Sequence, residues 1–269
     1  MSDVSRLNDL RALRAFVFDM DGVIYRGNRV LPGAADFVKA LQRANVPYLF
    51  VTNNSTTPPD QVAARLEGMG IAASPSDVLT SAQATAEAMR SELGSGRVLV
   101  VGELGIRQAL EQAGFNLTDD HRAADAVVAG MDRHCTYHSL SRAALAIRRG
   151  IPFYATNGDR SFPSEEGLVP GAGSIVGLLE IATDVPARVI GKPAVEIFDQ
   201  ALRHLGVEPA VTGGIGDRVD TDVIGTQRAG MRSIAVLTGV GTREEFLTME
   251  RPPDWIFADL VDLQAAYFG

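Results

Sequence analysis

Short β-branched or aromatic runs alternate with stretches of helical period along almost the whole chain, and this alternation restricts the fold more than any other feature. A strand-like run followed by an amphipathic stretch predicts a strand and its crossover helix. Repetition of that unit predicts an α/β fold with a mostly parallel sheet. The first series holds "AFVF" (15–18), a helix from Pro32 with Phe37, Val38 and Leu41 as its apolar stripe, "PYLFV" (47–51), and a helix over Gln61–Met69 stopped by Gly70. A second begins near residue 97, with "VLVV" (98–101), a helix over Ile106–Ala113, "AVVA" (126–129), a helix over Ser139–Arg149 and "PFYAT" (152–156). The third runs from "RVIG" (188–191) through a helix over Ile197–Leu205 to "AVTGGIGD" (210–217), a helix near 222–229, "SIAVL" (233–237) and "DWIFA" (254–258). Periodicity leaves two arrangements open for the middle series: continuation of one sheet, or a separate insertion.

Composition narrows the functional classes. A chain of 269 residues fits about two domains. Its net charge of −8, with no basic run, argues against nucleic acid as a partner. No apolar stretch approaches the roughly 20 residues that span a bilayer, and "MSDVSRLNDLRALR" lacks the apolar centre of a signal peptide. Cys135 is the single cysteine, which suits a reducing compartment, so the expected location is the cytoplasm.

Ligands of parallel α/β sheets bind beyond the carboxyl ends of the strands, and four such ends carry polar groups here. They supply Asp19 and Asp21, then Thr52, Asn53 and Asn54, then Lys192, then Asp217, Asp220 and Asp222. Taken singly, each has an ordinary explanation in turns, helix caps or solvated loops. Taken together they form one chemistry. Two carboxylates one residue apart at the end of a buried strand repel each other. A hard cation such as Mg²⁺ offsets that repulsion when carboxylates like Asp19 and Asp217 supply oxygen ligands. Thr52 and Lys192 then suit the remaining oxygens of a phosphoryl group. Phosphate-monoester hydrolysis calls for accelerations up to on the order of 10²¹, so covalent capture, electrostatic clamping and proton transfer must combine.

The set "DMDGVIYRG", "VTNNST", "ATNGD", "PGAGS", "VIGKP" and "GDRVDTDVIGTQRAGM" resembles the haloacid dehalogenase (HAD) superfamily of hydrolases. The branch it is most similar to holds NagD-type, p-nitrophenyl, phosphoglycolate and pyridoxal phosphate phosphatases. The resemblance implies a Rossmann-like parallel-sheet core over residues 1–82 and 188–269, with an inserted smaller α/β cap of the C2 type over 83–187. It implies that Asp19 is the nucleophile and Asp21 the general acid and base. Mg²⁺ would be held by Asp19, the backbone carbonyl of Asp21, and Asp217, with Asp222 acting from behind them to orient Lys192 or metal-bound water. Thr52, Asn53 and Lys192 would bind the phosphoryl group. Asn157, Asp159, Arg160 and Phe162, in "ATNGDRSFPSEEG", fall in the cap's substrate-facing loop.

The implied activity is a Mg²⁺-dependent phosphatase for a small phosphorylated metabolite, with a homodimer compatible with this branch. Phe162 stands where members acting on pyridoxal phosphate can carry His, which disfavours that substrate. In "GMDRHCTYH", Cys135 replaces the usual aromatic residue, and His134 with His138 reads as a solvated pair near a helix start. Two other classes share the chemistry: a receiver-like aspartate phosphoacceptor and a catalytically idle phospho-ligand binder. Asp21 and the long middle series disfavour the first, and the full motif set the second. No G-x-x-x-x-G-K-[ST] loop occurs. The Gly213-Gly214 doublet in a strand points to close backbone packing.

Overall fold

The computed structural model describes residues 3–164 and 167–269, with the backbone alone for 3–5 and 162–164. The chain forms two compact units. One takes the residues up to Thr52 with Val62–Leu79 and Phe198–Gly269; the other takes Asn53–Gln61 and Thr80–Ile197.

The first unit is built on a six-stranded sheet. In spatial order its strands are Trp255–Phe257, Arg232–Val236, Thr212–Gly216, Ala15–Phe18, Tyr48–Thr52 and Val78–Thr80. The first five pair in parallel. From the central Ala15–Phe18 strand the chain winds outward in one direction, then returns to Thr212–Gly216 and winds outward in the other. The reversal falls between these two strands, the place where open parallel sheets receive ligands.

All four residues of Ala15–Phe18 are buried, as expected of a strand covered on both faces. Phe16 and Phe18 each meet the Phe37 ring edge-on, with centroids 5.6 and 5.8 Å apart. Phe37 comes from the helix Ala34–Arg43, which buries Ala34, Phe37, Val38 and Leu41 at helical spacing. That helix starts at Ala34 rather than at Pro32, because Gly33 before it takes φ 80° in the left-handed region. The Gly213-Gly214 doublet is explained by close packing. A Cβ on Gly213 would lie 3.0 Å from side-chain atoms of Leu13, Phe16 and Ile234, and one on Gly214 would lie 2.4 Å from Thr226 Oγ1.

The second unit has its own parallel sheet of five strands: Arg188–Val189, Phe153–Ala155, Ala126–Ala129, Arg97–Val101 and Asn116–Leu117. The middle series therefore does not extend the first sheet. The structure also corrects the sequence order at "RVIG". Arg188–Val189 pairs with Tyr154 and Ala155, not with the third series. The helix Ala172–Thr183 supplies the crossover that a parallel pair requires. The helix Ser81–Leu93, capped by Thr80 reciprocally with Gln83, also lies in this unit apart from Thr80's own strand.

One ion pair of this unit has a readable pH signature. Glu103 accepts hydrogen bonds from Arg133 Nε at 2.8 Å and Nη2 at 2.6 Å. These bonds hold its carboxyl below the usual range. A depressed carboxyl stabilises the fold above its unfolded-state value and loses that contribution as pH falls through the folded value. Arg133 is largely exposed, so the effect is small. Glu103→Gln is expected to lower the melting temperature by about 1–3 °C at pH 7. The gap should close below the usual carboxylate range, and paired thermal melts at neutral and acid pH check this.

Candidate active site

In the first unit, strand register brings the predicted residues to one end of the sheet. Phe18 pairs with Ile215 on one side and Phe50 on the other. Asp19 is therefore one residue beyond that row, and Thr52 and Asp217 two beyond it on the flanking strands. Asp19 N–H extends the ladder by donating to Ile215 O at 2.8 Å. Carboxylate oxygens of Asp19, Asp217 and Asp222 all lie within 4.8 Å of one another. Asp217 and Asp222 are buried and Asp19 is half-buried. Three carboxylates so close repel strongly in a partly dry site. Hard oxygen donors at this spacing fit a divalent cation such as Mg²⁺.

Each acid is held differently. Asp222, in the single wide turn Val219–Val223, accepts the backbone N–H groups of Asp217 at 3.2 Å and Arg218 at 3.1 Å through Oδ2. It thereby fixes the backbone that carries Asp217. Asp217 Oδ2 accepts Val240 N–H at 2.7 Å, and Asp217 O accepts Gly241 N–H at 2.9 Å. Asp21 sits on the turn after the strand, where Met20 O receives the N–H groups of Ile24 and Tyr25 and Gly22 takes φ 86°. Its side chain has an open side to solvent. Burial of the rest pushes the carboxyl up, against the opposing pull of Arg65 and Arg26. Asp220, in the first turn of Val219–Val223, pairs with Arg218 through two bonds of 3.1 and 3.0 Å. These hold its carboxyl below the ordinary range.

The other predicted residues belong to the second unit, where Asn53 is a hub. Its Nδ2 donates to Lys192 O at 3.1 Å and to Asp159 Oδ2 at 3.2 Å. Its backbone carbonyl accepts Asn157 Nδ2 and Ser81 Oγ, both at 2.7 Å. Asn157 is buried, and its Oδ1 accepts Asp159 N–H at 3.1 Å. Lys192 is also buried. Asn157 and Asp159 thus hold the Asn53 segment, whereas Arg160 exposes its side chain and accepts Gly171 N–H through its carbonyl. Phe162 pairs with Val169 in the hairpin of Ser161–Ser164 and Gly167–Pro170, and its side chain lies outside the described residues. "PGAGS" packs beneath this loop: a Cβ on Gly171 would lie 2.3 Å from Asp159 O, and one on Gly173 2.3 Å from Gly158 O.

His134 and His138 line a cavity of about 800 Å³ in the second unit with Glu103, Arg107, Asp119 and Arg142. Among the described residues they join no group of three potential metal ligands. Sequence reasoning missed the Thr238–Gly241 segment, Gly22 as a neighbour of Asp217, and Ser81. The signal for the first was Gly239, closely following a predicted strand end.

Two family models match the chain, one described as haloacid dehalogenase-like hydrolase over residues 16–116 and one as HAD-hydrolase-like over 189–263. An acid sugar phosphatase of Staphylococcus saprophyticus is 40% identical over 251 residues, 93% of this chain and 96% of that protein. The 5'-nucleotidase YutF of Bacillus subtilis is 41% identical over 244 residues, 90% of this chain and 94% of its own length. Among solved structures, 4-nitrophenylphosphatase from Thermotoga maritima matches with a TM-score of 0.91 at 35% identity, covering 96% of this chain and 99% of that one. Glycerol phosphate phosphatase from Mycobacterium tuberculosis, in complex with magnesium, matches with a TM-score of 0.89 at 35% identity, covering 95% and 77%. The chain belongs to the haloacid dehalogenase-like hydrolase family, within its NagD-like branch of phosphoric monoester hydrolases.

Proposed function

We propose that the chain is a Mg²⁺-dependent phosphatase of small phosphorylated metabolites that works through an aspartyl phosphate on Asp19. The observation that carries this reading is the convergence of the Asp19, Asp217 and Asp222 carboxylates within 4.8 Å beside the sheet's switch point. Asp19, Asp217 and the backbone carbonyl of Asp21 are the residues that would hold the ion. When bound, the ion neutralises charge on the phosphoryl oxygens and relieves the repulsion among the acids.

In the first half-reaction an Asp19 oxygen forms a bond to phosphorus while the bond to the leaving oxygen breaks, its electron pair staying with that oxygen. Asp21 gives the leaving oxygen a proton. In the second, water attacks phosphorus, Asp21 takes a proton back, and the bond to Asp19 breaks. On the motif match alone, Thr52, Asn53 and Lys192 are assigned to the phosphoryl oxygens. The same match assigns substrate selection to the Asn157–Phe162 segment, with Asn157 and Asp159 acting through their bonds to Asn53 and to the loop itself. Relatives that act on sugar phosphates, glycerol phosphate and nucleotides define the panel of candidate substrates.

The test is turnover of p-nitrophenyl phosphate and of that panel, with kcat/KM compared with and without a chelator. Equal turnover in chelator overturns the metal reading. A phosphorylated protein that persists for minutes would instead favour a receiver-like acceptor. The role of Asp21 makes a sharper prediction. Asp21→Asn is expected to lower kcat/KM, which reports the first half-reaction alone, about 10²–10⁴-fold on a sugar phosphate, whose alkoxide leaving group needs a proton. On p-nitrophenyl phosphate, whose leaving group is stable as an anion, the loss should be at least about tenfold smaller. Equal losses on both substrates would refute proton donation by Asp21.

A further inference from the structure

The Asp217 carboxylate is seated by a segment that none of the sequence motifs includes. Val240 N–H donates to its Oδ2 at 2.7 Å. A Cβ on Gly239 would lie 1.8 Å from the same oxygen, and one on Gly22 2.5 Å from it. The carboxylate is therefore wedged between two residues that have no side chain. Thr238 Oγ1 ties the two walls together by donating to Gly22 O at 2.6 Å.

What holds the outer wall is Arg26, from the short hairpin of Tyr25–Arg26 and Arg29–Val30. Its Nη2 donates to Thr238 O at 2.7 Å and to Gly239 O at 3.0 Å. A solvent-exposed arginine with nothing to hold usually samples several rotamers; here it spends a charged donor on two adjacent carbonyls. Charge-assisted bonds of this kind are the stronger ones.

We propose that Arg26 is a positioning residue for divalent-cation binding, acting through the Thr238–Val240 segment to fix the direction in which the Asp217 carboxylate faces. Without that anchor the segment relaxes, Val240 N–H leaves Asp217, and the carboxylate rotates among orientations of which only some suit the ion. The cost appears in cation affinity, since ordering the ligand must then be done at binding. The inference rests on the proposed Mg²⁺ reading of the site.

Calorimetric titration of Mg²⁺ into the full-length protein, without substrate, tests it. Arg26→Ala is expected to weaken Mg²⁺ binding about tenfold. Arg26→Lys, which keeps a cationic donor, should recover at least half of that loss on a logarithmic scale. Thr238→Val, which keeps shape but removes the tie to Gly22, should weaken binding by about threefold and provides a second test if the Arg26 variants fold poorly. A merely structural arginine would shift the melting temperature and leave Mg²⁺ affinity unchanged. Binding within twofold of wild type in both Arg26→Ala and Thr238→Val overturns the proposal, as does an Arg26→Lys loss equal to that of Arg26→Ala. If the unaltered protein takes up no Mg²⁺, the metal reading itself fails, a result that its own titration separates from failure of the clamp.

Discussion

On the proposed aspartyl-phosphate route, Asp19→Asn protein is expected to lose about 10⁴-fold or more of its phosphatase kcat, because the amide cannot form the bond to phosphorus on which both half-reactions of that route depend. The same substitution should not cost stability in the absence of metal. Asp19 is half-buried at the end of its strand, and its carboxylate lies within 4.8 Å of those of Asp217 and Asp222. Removing one of three crowded negative charges relieves repulsion. Melting in chelator should therefore leave Asp19→Asn at least as stable as wild type, while added Mg²⁺ should raise the wild-type midpoint more than that of the variant. Activity near wild type in the purified variant would end the covalent reading. A lower melting temperature in chelator would mean that the acids are not mutually strained as their spacing implies.

Gly216→Ala should be strongly damaging for so small a substitution. Every residue of Thr212–Gly216 is buried, so the strand has little freedom to move aside. A Cβ at Gly216 would fall 2.1 Å from Asp222 Cβ and 2.5 Å from its Cγ. Something must yield, and the wide turn Val219–Val223 is the less embedded partner. Displacing it breaks the bonds by which Asp222 holds the backbone of Asp217 and Arg218. Overpacking of this kind costs about 1–3 kcal/mol, and loss of the buried bonds brings the total to about 3 kcal/mol. That corresponds to a fall of about 6–12 °C in melting temperature. Gly177→Ala provides the contrast: it lies in the helix Ala172–Thr183 and its Cβ would meet nothing within 4 Å. There the substitution should be neutral or stabilising by up to about 1 kcal/mol. Thermal melts of the two variants side by side decide the matter, and an unchanged midpoint in Gly216→Ala would contradict the packing described.

Much of the candidate site was legible because its residues lie at or directly after strand ends. Short runs buried on both faces mark Ala15–Phe18, Tyr48–Thr52 and Thr212–Gly216, and the polar residue at or just past the end of each is then in view. The Asx and glycine turn signals read correctly as breaks, but their partners were hidden. Asp220 reads as an acid at a helix start and does lie in the first turn of Val219–Val223, but its pairing with Arg218 was not in view. Asn157 and Asp159 looked like residues facing a substrate. Their bonds to Asn53 arise across about a hundred residues of chain, a distance that local pattern does not report.

By itself, the sequence determined the α/β class, the strand ends and the identity of the acids, since these follow from local periodicity and from residue chemistry. Its ordered motifs also pointed to the hydrolase family. Only the tertiary structure decided how strands sort between sheets, because pairing depends on crossover geometry and not on composition. Arg188–Val189 shows this: two residues with no distinctive pattern join the second sheet because the Ala172–Thr183 helix returns them there. Only the tertiary structure decided what surrounds Asp217, too. Arg26, Gly22 and the Thr238–Gly241 segment are remote in sequence from that acid or carry no chemistry of their own. They matter through distances of 2 to 3 Å that the fold alone sets.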